Sequence, residues 1–166
     1  IDHVRPMAET LVYEVYETAW VEFFLEDPED IRMFEPLDVT ISVTTNGVVV
    51  PVVFDSLQLE NAQPLADGGT ILGSLDAEGY ARLGITLSEP QMVEISVSAT
   101  DAQSVVDERT IQLLWEPGAA VSLDVLLPDN SGDFEVLAGE EFPVRLEVRD
   151  AWGNLVDTTS HAVVLV

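Results

Sequence analysis

The sequence predicts an all-β chain of tandem two-layer sandwiches, on three observations. Apolar and polar residues alternate with period two through nearly every segment, the sign of half-buried strands. Turn-forming residues break the runs at strand-length intervals. Segments near the start of the chain also reappear, in the same order, about 100 residues later, as Val21 against Val121.

Taken in order, the predicted strands each present one apolar face. Val21, Phe23 and Leu25 share the first, and Val39, Ile41 and Val43 the second. Ala81, Leu83, Ile85 and Leu87 form another, followed by Val93, Ile95, Val97 and Ala99, then Ile111, Leu113 and Trp115. The intervening residues are mostly Asp, Glu, Thr, Ser, Arg or Gln, which suits a solvated outer face. Asn46-Gly47 between two strands is a two-residue hairpin signal, because both positions tolerate positive φ. Asp67-Gly68-Gly69 and Asp76-Ala77-Glu78-Gly79 mark two further turns. Pro51 interrupts residues 48–54 and places that strand at a sheet edge or a bulge. Residues 8–24 carry Glu14, Glu17 and Glu22 roughly a helical turn apart, but their β-branched and aromatic content favours strands. Roughly seven short strands in about 100 residues is the count of an immunoglobulin-like sandwich.

The self-similarity sets the expected domain plan. Residues 9–18 align with 108–117, each a short apolar strand ending in an aromatic followed by Glu. Residues 21–25 align with 121–125, and Pro28 falls on Pro128. Leu37 and its successors align with the stretch from Phe142, the offset having drifted to about 105. The expectation is one complete unit at 19–118, preceded at 1–18 by the last strand and linker of another unit. The first half of a following unit would occupy 119–166.

Composition bounds the function. The chain carries 31 acidic groups against six basic ones, a net charge of −25, and all six basic residues are Arg. No basic stripe exists to neutralise phosphates, so nucleic acid is not an expected partner, nor is an anionic membrane surface. No apolar run of membrane-spanning length occurs, so no membrane insertion is expected in this segment. Cysteine is absent, which a domain of about 100 residues tolerates because its core suffices. The opening residues do not read as a signal peptide, and the chain is expected to be a mature or internal segment. The acidity has three readings: a solubility device, adaptation to high salt, or sites for divalent cations.

Two stretches carry a family resemblance. Residues 73–87, with Asp76-Ala77-Glu78-Gly79 entering a strand, and the strand from Met92 to Ala99 resemble the second half of bacterial invasin/intimin-type immunoglobulin-like repeats. Residues 144–156, with Asp150-Ala151-Trp152-Gly153-Asn154, resemble a strand–turn–strand of the same repeats, also seen in filamin-type domains. At residues 43–50 the complete unit lacks the Asp-Ala pair. The resemblance implies an extracellular, cell-surface protein in which such domains act as rigid spacers.

Candidate sites are few. His3 and His161 have no neighbouring Cys, Ser or carboxylate in a triad or zinc pattern, and no catalytic residue is assigned; the chain is not expected to be an enzyme. Asp27, Glu29 and Asp30 cluster in one loop, with Asp129 and Asp133 in the matching loop; calcium is the candidate ion there, against the plain reading of a solvated acidic loop. No other cofactor is expected. Asp150, Asn154 and Asp157 surround a turn and are expected to bond its backbone, with a metal role as the alternative. Tyr16, Trp20, Phe23 and Trp115 are expected to pack at domain junctions, and Trp152, at a turn tip, is the candidate exposed aromatic for binding. The expected role is a non-catalytic spacer module of a surface protein, fibre or adhesin, partnered by neighbouring immunoglobulin-like domains. The alternatives are an adhesion module gripping a protein or glycan, and a subunit of an extracellular filament or sheath.

Overall fold

The computed structural model describes residues 3–100, 106–126 and 145–156. The chain divides into two compact units, Ile1–Glu116 and Pro117–Val166. All its described regular elements are strands: β1 His3–Ala8, β2 Val12–Glu14, β3 Thr18–Glu26, β4 Asp38–Thr45, β5 Val48–Val49, β6 Val53–Gln58, β7 Glu60–Pro64, β8 Thr70–Ser74, β9 Tyr80–Thr86, β10 Gln91–Thr100, β11 Val106–Glu116, β12 Ala120–Leu126 and β13 Arg145–Asp150.

In the first unit one sheet runs β1-β3-β9-β6, and the other runs β2-β11-β10-β4-β8-β7 with β5 beside β4. The alternating faces read from the sequence meet between them. Val21, Phe23 and Leu25 of β3 and Ala81, Leu83 and Ile85 of β9 face Val39, Ile41 and Val43 of β4 and Val93, Ile95, Val97 and Ala99 of β10 in one buried cluster. Neither sheet could stay in water with such a face exposed, and stacking buries both.

The predicted turns form. Asn46 and Gly47 both take positive φ (50° and 76°) and link β4 to β5, as a twisted two-residue hairpin requires. Pro51 stands where the chain leaves β5 in one sheet and enters β6 at the edge of the other. The polar strand β7 shows no apolar alternation and had no sequence signal.

The expected domain boundary at 18/19 is corrected. β1 pairs antiparallel with β3 along its whole length, from His3 opposite Glu26 to Ala8 opposite Val21. β2 lies parallel to β11, with Tyr13 opposite Trp115. Val4, Tyr13 and Val15 are buried in the same core, so residues 3–16 begin this sandwich and do not end another. The alignment of residues 9–18 with 108–117 sets Tyr16 on Trp115, whereas the strands pair three residues out of step, Tyr13 opposite Trp115, and Tyr16 is about half exposed where Trp115 is fully buried. The likeness is therefore not a structural repeat.

In the second unit β12 pairs antiparallel with β13. The strands aligned with them, β3 and β4, lie in opposite sheets of the first unit, so pairing does not reproduce the aligned repeat. What does recur is a turn. Asp27, Asp76 and Asp150 each accept, through Oδ1, the N–H groups two and four residues on, at 2.8–3.0 Å. In each the third residue on donates its N–H back to the Asp carbonyl. That residue has positive φ: 61° at Asp30, 63° at Gly79 and 87° at Gly153. Residues 43–50 instead hold the Asn46-Gly47 hairpin, and the Asp turn after β3 carries Asp30 in the position that glycine takes in the other two.

Candidate functional site

β1 and β3 bring together a cluster that linear spacing hides. The register sets His3 directly opposite Glu26, the last residue of β3. The Asp27 turn then folds the chain back: the Asp27 N–H donates to the Ile31 carbonyl, the Ile31 N–H donates to Asp27 Oδ1, and Glu26 forms an antiparallel β-bridge with Arg32. This returns Asp30 to the same spot. His3 Nε2 lies 3.4 Å from Glu26 Oε2 and 3.4 Å from Asp30 Oδ1. One ligand atom from each of the three lies within 4.8 Å of the others.

The environment is asymmetric. The His3 side chain is 7% exposed, that of Glu26 12% and that of Asp30 75%, so two donors are set in the protein and the third closes from solvent. Arg5 Nη1 stands 3.8 Å from the other Glu26 oxygen, Oε1. Glu26 Oε2 itself is buried without a hydrogen-bond donor. Such an oxygen is costly to leave unsatisfied.

Of the described loop carboxylates singled out from the sequence, Asp27, Glu29 and Asp30, only Asp30 joins this cluster. Asp27 spends Oδ1 on the turn backbone, and Glu29 is exposed, its N–H held by Asp27. Asp129 and Asp133, like His161 and Asp157, lie outside the described residues. His3 and Glu26 were missed because their partnership exists only through strand pairing. The one local signal was an Asp turn with its glycine replaced by a carboxylate.

The aromatic candidates scatter. Phe23 and Trp115 are fully buried in the first unit. Trp115 stacks on Tyr13 with ring centroids 5.3 Å apart and donates its indole N–H to the Glu17 carbonyl at 3.1 Å. They are core residues, because the boundary on which a junction role rested lies inside the sandwich. Trp20 is half-buried under the Arg82 guanidinium, 4.6 Å from its ring centroid. Tyr16 is about half exposed at φ 65°, its N–H bonded to the Leu87 carbonyl. Trp152 is 49% exposed and lies against Gly118, where an added Cβ would meet its ring at 2.5 Å. Its turn is locked by Asp150, which accepts N–H groups of Gly118, Trp152 and Asn154 and the Asn154 amide. Burial pushes the Asp150 carboxyl upward, but these hydrogen bonds outweigh it and hold it below its ordinary value.

Comparison with known proteins gives distant likenesses of fold. No protein-family model and no curated sequence matches the chain. Among solved structures it is similar to the reeler domain of human F-spondin, at 11% identity, over 68% of this chain and 88% of that one, with a TM-score of 0.48. It is also similar to FdeC, an Escherichia coli adhesin, at 14% identity and a TM-score of 0.45, over 94% of this chain and 42% of that one. A type II cohesin domain from the cellulosome of Acetivibrio cellulolyticus is similar at 11% identity and a TM-score of 0.31, covering 71% of this chain and 92% of that one. No helix among the described residues is long and apolar enough to cross a membrane.

Proposed function

We propose that the chain is a non-catalytic structural module of an extracellular surface protein, in which β-sandwich units follow one another as spacers. The observation that carries this reading is the division of the chain at Glu116/Pro117. One sandwich closes with β11, and the next strand, β12, begins at Ala120 after a linker of three residues. A unit that builds its own core can be strung in series without its neighbours. The acidic composition supports the reading, since like-charged copies repel one another at high local density. So does the recurrent Asp turn, which underlies both stretches that resemble invasin/intimin-type repeats. An antibody raised against residues 1–116 should label intact cells that produce the protein. Labelling only after the cells are permeabilised would contradict the reading.

A further inference from the structure

We propose that His3, Glu26 and Asp30 form a binding site for a divalent transition-metal ion of the zinc kind, which clasps the first strand to the end of β3. The donor set is one imidazole nitrogen and two carboxylates, the mixed N/O set of zinc sites with three protein ligands and a water. Calcium takes six to eight oxygen ligands, and a nitrogen donor with two carboxylates is a poor match.

Both separations from the imidazole fit the ion. Ligands about 2.0–2.1 Å from a tetrahedral zinc stand about 3.3–3.4 Å from one another. His3 Nε2 is 3.4 Å from each carboxylate oxygen. The competing account is a protonated His3 paired with two carboxylates. A charge-assisted hydrogen bond would draw such partners to about 2.7–2.9 Å. At 3.4 Å they are apart, and Glu26 Oε2 accepts no hydrogen bond although it is buried. Arg5 approaches only Oε1 and leaves Oε2 to the ion. Asp30 adds an independent sign. The corresponding positions in the two sister turns are Gly79 and Gly153, and only here does a carboxylate side chain occupy the left-handed conformation.

The consequence is mechanical. Bound zinc would tie the start of β1, the end of β3 and the following turn at one point.

The test uses the whole chain, stripped with chelator and titrated with zinc chloride by calorimetry and thermal melting. The site should bind one zinc ion saturably and raise the melting temperature. Asp30→Gly should leave the metal-free melting temperature equal or higher, because glycine suits φ 61°. It should also weaken zinc binding by at least about tenfold, the scale seen for loss of supporting groups around a metal. His3→Gln should do the same, and His161→Gln should change nothing. Binding that survives both Asp30→Gly and His3→Gln would overturn the site, as would the absence of saturable zinc binding. A calcium response equal to that of zinc would overturn the assignment of the ion.

Discussion

Asp27, Asp67, Asp76 and Asp150 show what single carboxylates do in this chain: they replace missing backbone acceptors at turns. Asp67 has a measurable signature. The Thr70 side chain, against some desolvation and helped by the Gly69 and Thr70 N–H groups, holds its carboxyl below the ordinary value. A depressed folded pKa stabilises the fold above the unfolded carboxylate value, about 3.9, and that contribution is lost as pH falls through the folded value. Asp67→Asn should therefore be less stable than the parent at about pH 7, and the gap should close towards about pH 3. Urea denaturation at both pH values checks this, and a gap that stays constant with pH would count against it.

At the scale of elements, the crossing from β5 to β6 depends on close backbone approach. A Cβ on Gly69 would lie 2.2 Å from the Val50 carbonyl oxygen and 2.7 Å from Val49 Cγ1. Gly69→Ala should cost about 1–3 kcal/mol, the usual penalty of forced overpacking, seen as a lower denaturation midpoint. How much of this was legible follows from what each element depends on. The faces of β3, β4, β9 and β10 were readable because burial imposes a local period of two, and the 46–47 hairpin because its φ values demand particular residues. β7 was not, since at a sheet edge its Glu60–Pro64 residues are exposed apart from Ala62 and impose no apolar alternation. β1 and β2 were assigned to the wrong unit because a short apolar run ending in an aromatic and Glu occurs at both 9–18 and 108–117, while the pairing that sets Tyr13 opposite Trp115 lies three residues out of step with that likeness. The His3–Glu26–Asp30 cluster was only one-third visible: Asp30 stood out as a loop carboxylate, while His3 and Glu26 meet through a register no local pattern records.

For the whole molecule, two properties govern behaviour: a net charge of −25 and the self-sufficiency of the first unit. Self-repulsion at that charge opposes compaction and is screened by salt, with a Debye length of about 10 Å at 0.1 M. The melting temperature should rise as sodium chloride is added to a chelator-treated sample, and a flat response would show that the charge does not tune stability. Self-sufficiency is the property a serial spacer requires, and it depends on residues 3–16. Removing them exposes the core against Val4, Tyr13 and Val15, buried side chains worth roughly 1.5–3 kcal/mol each. That loss approaches the whole stability of a typical domain, about 5–15 kcal/mol. The most direct measurement is thermal unfolding and amide NMR of residues 1–116 beside residues 19–118. The longer piece should give dispersed resonances and one cooperative transition, and the shorter one neither. If residues 19–118 fold as stably as 1–116, the first sandwich does not begin at β1 and the account of its modularity fails.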